Sequence, residues 1–159
     1  VFHVTNGMIS GFTVTSDLSG NKEPKSTMEV KISSGNGIEF DEKTYPGKHL
    51  IRAFFEDQTG YSHFLGHDIH LVKLEENADL DELNNWMNWS NPNSFMTPAP
   101  EGVVFMGGMQ DMPVLDEIPN SNVGYFDAHL KPGTYAFIAE VPDPRSKGMF
   151  KVFTVPSAR

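Results

Sequence analysis

Apolar and polar residues alternate with a period of two along much of this chain. In TMEVKISS the apolar Met28, Val30 and Ile32 alternate with the charged Glu29 and Lys31. Because successive side chains of a strand point to opposite faces, this pattern predicts a strand that is buried on one face. Further apolar or alternating runs predict additional short strands, namely FTVTS, KHLIRAFFED, HDIHLVKL, GVVFMGG, GYFDAHL, GTYAFIAEV and GMFKVFTV.

Turn signals separate these runs. The pairs Pro46-Gly47 and Pro132-Gly133 place proline and glycine in the order that a type II turn prefers. Many short strands with little helix between them predict an all-β fold, either a sandwich or a barrel. The length of 159 residues fits one domain, 1-159, which is large enough to bury a core without disulfides.

One segment, NADLDELNNWMNW, has helical rather than strand periodicity. Its apolar residues form a stripe at helical spacing, made by Leu80, Leu83, Trp86 and Met87. Asp79 is placed to cap the helix, with Glu82 three residues later as in a capping box. The pattern predicts one short helix around residues 79-89, followed by a surface loop rich in Pro, Asn and Ser.

Composition narrows the range of functions. The chain has 12 Lys and Arg against 21 Asp and Glu, which gives a formal net charge of -9. Such an acidic protein repels phosphate groups, so nucleic acid is not an expected partner. Cysteine is absent, which excludes thiolate catalysis, cysteine-based metal sites and disulfides.

The sequence gives no sign of insertion into a membrane. It lacks an apolar run of about 18 residues, and its first residues lack the basic start and apolar core of a signal peptide. The chain opens with Val rather than Met, so removal of a leader or an anchor is compatible with the sequence.

Two segments resemble a known family. The run YFDAHLKPGTYAFIAEVPDPRSKGMFKVFTV resembles the last two strands of cupredoxins, in which a Pro-Gly turn precedes a Y-x-F/L-x-C strand, and a His and then Gly-Met follow. HDIHLVKLEENADLDELNNWM resembles the cupredoxin section that carries the first copper histidine. The resemblance implies a Greek-key β-sandwich of cupredoxin-like type, with the helix inserted, in an exported protein of the periplasm or cell surface.

The same resemblance implies a degenerate copper site. A type 1 centre uses two imidazoles, a thiolate and a weak axial methionine. By resemblance His67 matches the first imidazole and Met149 the axial ligand, but Ala139 stands at the thiolate position. The loop EVPDPRSKG contains no histidine for the second imidazole. Blue-copper electron transfer is therefore not expected, no cofactor is required, and copper is the metal that a remodelled site would bind.

The stretch GYSHFLGHDIHLVKL contains three of the six histidines. On a regular strand His67 and His70 point to opposite faces, and His63 and His67 lie on the order of 13 Å apart. A bend at Gly66 would bring His63 and His67 together. The alternative is a buried structural histidine that bonds a backbone carbonyl or a neighbour such as Asp68.

Methionines offer a second set of metal ligands. FMGGMQDM places Met106, Met109 and Met112 close together, and thioethers suit Cu(I). With His67 they would form a copper site without a thiolate. The alternative is that they fill gaps beneath a loop, as flexible methionine side chains often do.

We interpret the chain as an extracytoplasmic binding or accessory module and not as an electron-transfer protein. Its expected partner is an unidentified protein or small ligand at the end of the sandwich where three loops meet, His63 to His67, Asn91 to Gly102 and Pro142 to Lys147. Trp86 and Trp89 lie near that end; as core residues they would anchor the helix, and if exposed they would contact the partner.

Two alternatives remain open. One is a copper-handling protein with a non-classical site around His67 and Met149, joined by His63, Met106 and Met109. The other is a metal-dependent enzyme that uses His63, His67 and Asp68 through an irregular backbone. No nucleophile elbow, zinc-protease or phosphate-loop motif is present, so an enzyme is the less favoured expectation.

Overall fold

The computed structural model describes residues 22–61, 66–116 and 121–157, together with Thr13 and Gly20. The predicted strand FTVTS lies outside these residues apart from Thr13. The other predicted strands all form. Within this part of the chain the strands are β1 (Met28–Ser33), β2 (Gly37–Phe40), β3 (Gly47–Phe55), β4 (Ile69–Leu74), β5 (Val103–Met109), β6 (Val123–Leu130), β7 (Gly133–Ile138) and β8 (Phe150–Val155).

The strands form two four-stranded sheets. The first has the order β2-β1-β3-β6 and the second the order β5-β4-β7-β8. Strands β1 and β3 pair in parallel, and the other pairs are antiparallel. This arrangement confirms the predicted all-β sandwich. Strand β2 was not predicted, because its four residues carry too short a pattern to separate from the preceding turn.

Alternation along the strands builds the main core between the sheets. In β3 the side chains of His49, Ile51, Ala53 and Phe55 are buried, and the residues between them are less so. Residues of both sheets meet in this core, among them Val30, Ile32, Ile69, Leu71, Phe137 and Phe153. Each fully buried large apolar side chain stabilises the fold by roughly 1.5–3 kcal/mol.

Proline-glycine pairs introduce two of the core strands as predicted from the turn signals. Gly47 and Gly133 open β3 and β7 with φ values of 139° and 151°. Such positive φ values are readily adopted by glycine but not by other residues. Both values lie far above the roughly 80° that glycine adopts in a type II turn, so the structure does not show the predicted type II turns at these pairs.

A helix covers the outer face of the second sheet. Helix α1 (Leu80–Trp86) begins after Asp79, whose carboxylate accepts hydrogen bonds from the amides of Asp81 and Glu82. The buried Leu83 and Met87 pack there on a second apolar cluster with Val72, Leu74, Val103, Ala136 and Ile138. Among the described residues no helix is long and apolar enough to cross a membrane.

The helix is shorter than the predicted span of residues 79-89. Its last residue is Trp86, and Met87 is the C-cap. The chain turns there because the side-chain oxygen of Asn88 accepts hydrogen bonds from the amides of Ser90 and Asp143. Asparagine side chains that bond to nearby backbone in this way favour turns over helix.

Candidate metal centre

His67 lies two residues before β4 and is completely buried. The side chain of Gln58 holds its backbone from both sides. Gln58 Oε1 accepts from the His67 amide at 2.5 Å, and Gln58 Nε2 donates to the His67 carbonyl at 3.1 Å. The same Nε2 also donates to the carbonyl of Met112 at 3.0 Å. The position of His67 is therefore fixed by polar contacts to two other segments.

Both nitrogens of the His67 ring have partners. Nδ1 lies 3.3 Å from the carbonyl oxygen of Asp57 and 3.5 Å from its carboxylate, and Nε2 lies 3.1 Å from the hydroxyl of Tyr61. A carbonyl oxygen can only accept, so Nδ1 carries the proton and Nε2 accepts from Tyr61. A metal on His67 would have to displace one of these contacts.

For a structural histidine the sequence left open a bond to a backbone carbonyl or to a neighbour such as Asp68, and the His67 ring contacts a carbonyl, that of Asp57. Asp68 bonds His70 instead, with His70 Nε2 and Asp68 Oδ2 separated by 2.8 Å. The reason is the alternation of the strand: Asp68 and His70 share one face, whereas His67 has the opposite parity. The predicted divergence of His67 and His70 agrees with these contacts.

Ala139 and Met149 lie at the positions that the resemblance gives to the thiolate and axial ligands. Both belong to the main core and are essentially fully buried. The amide of Ala139 donates to the carbonyl of Met149 at 2.9 Å. An alanine methyl cannot supply the thiolate of a type 1 centre, so this chain lacks that centre.

Met106 and Met109 are both half-buried against the main core, as is Met112. Their spacing of three residues would place Met106 and Met109 on opposite faces of a regular strand. The register between β4 and β5 shifts between Leu71 and Val72. These neighbours pair with Gly107 and Phe105, which leaves Met106 as an extra residue without a partner position in β4. Such a β-bulge returns both methionines to the inner face.

His63 lies outside the described residues, so its predicted approach to His67 stays a prediction. Of the three predicted loops, Pro142 to Lys147 contacts the helix and its following segment. The amides of Asp143 and Arg145 donate to the side-chain oxygens of Asn88 and Asn84. The structure therefore brings this loop to the helix side of the sandwich.

Both tryptophans are half-buried near that loop. Each packs on Phe95, with ring centroids 4.7 Å apart for Trp86 and 6.1 Å apart for Trp89. Trp86 Nε1 also donates to the carbonyl of Thr97. They anchor the segment that follows helix α1, and each keeps part of its surface exposed.

A different group of potential ligands lies on the outer face of the second sheet. One ligand atom from each of Asp68, His70 and Glu140 lies within 4.8 Å of the others. His70 pairs with Ile138 across β4 and β7, so Glu140, two residues further on, comes beside Asp68. The amide of Glu140 donates to Asp68 Oδ1 at 2.7 Å.

Electrostatics in this group favour bound protons. Burial, together with the charge of Asp68, raises the pKa of Glu140 to about 7, although the charge of His70 opposes this. For His70, burial lowers the pKa, but the hydrogen bond and charge of Asp68 and the charge of Glu140 outweigh it, and the pKa is raised. Glu140 and His70 therefore hold their protons more strongly than isolated side chains of the same kind do.

Sequence reasoning did not find this group as a unit. The Asp-x-His spacing of Asp68 and His70 was a usable signal, because residues two apart share one strand face. Glu140 is seventy positions away from His70 and joins the pair through the register of β4 and β7. No local pattern contains that information.

The described strands form a two-sheet β-sandwich, and the chain contains no cysteine, so it lacks the thiolate of a type 1 copper centre. No family model matches the chain, and no curated protein matches it.

Solved structures similar to this chain include three cupredoxins. Auracyanin of Roseiflexus castenholzii is 20% identical, over 80% of this chain and 94% of that chain, with a TM-score of 0.42. A rusticyanin is 17% identical, over 87% of this chain and 84% of the rusticyanin chain, with a TM-score of 0.48. An azurin of Methylomonas sp. strain J is 12% identical, over 84% of this chain and 99% of the azurin chain, with a TM-score of 0.42.

Proposed function

We propose that this chain is a binding or accessory module that uses the sandwich as a rigid scaffold and does not transfer electrons. The observation that carries the proposal is the packing at Ala139. This residue stands at the thiolate position, is completely buried, and belongs to the same apolar core as Met149. Apolar packing at this point supports a fold that is stable without copper.

The proposed binding surface is formed by the last residue of helix α1 and the segment that follows the helix. It presents the partly exposed rings of Trp86 and Trp89 and the exposed Met96 beside the loop Pro142 to Lys147. Aromatic and methionine side chains are common at surfaces that contact partners. The proposed partner is a protein or a small ligand outside the cytoplasm, in line with the resemblance to exported proteins.

Copper titration of the purified chain tests this function. We expect no intense blue absorption with Cu(II) and no reversible one-electron wave in voltammetry. Both are properties of a type 1 centre, and alanine replaces the thiolate that such a centre requires. A blue band or a reversible wave would contradict the proposal. Fractionation of source cells gives an independent readout, since recovery of the protein solely in the cytosol would contradict the proposed location.

A Cu(I) arm of the same titration tests the alternative site around His67 and Met149. If the module proposal holds, His67→Ala and Met149→Leu will bind Cu(I) no more weakly than the native chain. His129→Ala, a change at an exposed histidine, is the matched control. Sub-micromolar Cu(I) binding that both variants abolish, and the control retains, would establish copper handling instead. Circular dichroism checks that each variant is folded.

A further inference from the structure

Asp68, His70 and Glu140 form a compact set of donors at the ends of two paired strands. Asp68 lies just before β4, His70 is the second residue of β4, and Glu140 lies just after β7. Their ligand atoms fall within 4.8 Å of one another. Ligands bound to one tetrahedral zinc ion lie about 3.3–3.6 Å apart, so small side-chain movements would bring these atoms to coordination distance.

The set carries more negative charge than its surroundings neutralise. Asp68 is 5% exposed. Its Oδ1 accepts a hydrogen bond from the Glu140 amide, and its Oδ2 is hydrogen-bonded to the His70 ring. Glu140 is half-buried, and no described residue donates a hydrogen bond to its carboxylate. Within the described ranges no Lys or Arg pairs with either acid. A half-buried carboxylate beside a buried one is unfavourable unless a proton or another cation lies between them.

We propose that Asp68, His70 and Glu140 bind one divalent transition-metal ion, of which Zn²⁺ is the best match. The ion takes the place of the proton between His70 Nε2 and Asp68 Oδ2 and is also bound by the Glu140 carboxylate. Three protein ligands leave a fourth position for water or for a group from a partner. This gives the outer face of the second sheet a metal site of its own.

The donor types favour zinc over calcium and Cu(I). One imidazole nitrogen and two carboxylate oxygens are ligands that zinc accepts. Calcium prefers six to eight oxygens, which is more than this group supplies. Cu(I) prefers thiolates and thioethers, and the side chains here offer no sulfur.

This site is separate from the copper position that the family resemblance implies. Strand alternation places His70 and Glu140 on the helix-covered face of the second sheet, where Val72 and Ile138 also lie. Ala139 and Met149 lie in the core between the sheets. The zinc proposal and the proposed module function can therefore succeed or fail independently.

Calorimetric titration of the metal-free chain, purified without a histidine tag, tests the site. We expect one Zn²⁺ per chain with a dissociation constant in the micromolar range or tighter, and no comparable binding of Ca²⁺. In His70→Ala and Glu140→Gln the zinc affinity falls at least tenfold. It stays unchanged in Met149→Leu, because that side chain lies in the main core.

Two matched changes control for general loss of histidine or of charge. His129→Ala and Glu76→Gln alter exposed residues outside the group and should bind zinc as the native chain does. NMR of the native chain adds a readout that needs no variant: zinc shifts the His70 ring signals and leaves those of His67 in place. No zinc binding by the native chain at micromolar concentrations, or equal binding in His70→Ala and Glu140→Gln, would overturn the proposal.

Discussion

His67 shows how a residue with the chemistry of a metal ligand can instead serve the fold. Its ring is completely buried, so each ring nitrogen needs a hydrogen-bond partner inside the protein. Tyr61 supplies one of them through its hydroxyl, 3.1 Å from Nε2. Burial, with the charge of Asp57, raises the pKa of Tyr61, so the hydroxyl keeps its proton and can donate.

Removal of this hydroxyl should destabilise the protein. In Tyr61→Phe the buried Nε2 of His67 loses its donor, and an unsatisfied buried polar atom costs roughly 1–3 kcal/mol. We expect a decrease of that size in the free energy of unfolding, measured by urea denaturation. Tyr45→Phe is the control, because Tyr45 is 56% exposed although its ring also lies beside a histidine, His49. Equal stability of Tyr61→Phe and the native chain would refute this role.

At the scale of elements, helix α1 protects the outer face of the second sheet. Leu83 is completely buried on this face, whereas Leu80, at the start of the helix, is 36% exposed. In Leu83→Ala the loss of buried methyl groups and the resulting cavity should cost roughly 2–5 kcal/mol. Urea denaturation followed by circular dichroism measures the difference.

Leu80→Ala makes the same chemical change on the same helix and serves as the matched control. We expect it to change the free energy of unfolding by less than about 0.5 kcal/mol, since substitutions at exposed positions usually have small effects. If both variants lose the same stability, the helix does not depend on its buried face in the way that the structure indicates.

The strands and the helix could largely be predicted from local patterns, because burial on one face imposes a period of two or 3.6 on the sequence. Strand β2 could not. It buries Ile38 and is held by a hydrogen bond from the Ile38 amide to the carbonyl of Gly148, a residue far along the chain. Glu140 was missed because its approach to His70 depends on strand register.

At the scale of the whole molecule, two groups couple folding to the binding of protons. The pKa of Glu140 is raised to about 7 in the fold from an ordinary 4.5, mainly by burial and by Asp68. The pKa of His70 is raised above 6.5, because Asp68 and Glu140 outweigh the opposing effect of its burial. Between about pH 4.5 and about 7, Glu140 therefore holds more protons in the fold than in the unfolded chain, and His70 contributes in the same direction above 6.5.

A raised pKa contributes stability that is fully present below the ordinary value and is lost as the pH rises through the folded value. The contributions of Glu140 and His70 to the free energy of unfolding should therefore both decrease from pH 5 to pH 8. Urea denaturation of the metal-free protein in a chelator, across this range, measures the change. Other titrating groups also contribute, so the comparison that isolates Glu140 is with Glu140→Gln.

Glutamine has nearly the shape of a protonated glutamate but does not titrate. At pH 5 we expect Glu140→Gln and the native chain to differ little in stability, because the folded carboxyl is then protonated and the pH is still close to the ordinary pKa of 4.5. At pH 8 the variant should be more stable by about 1 kcal/mol, a reduced figure because Glu140 is half-exposed and solvent screens its charge. Glu76→Gln, at an exposed position, should leave the pH profile unchanged. A native profile and a Glu140→Gln profile that run parallel from pH 5 to pH 8 would show that Glu140 does not titrate with folding.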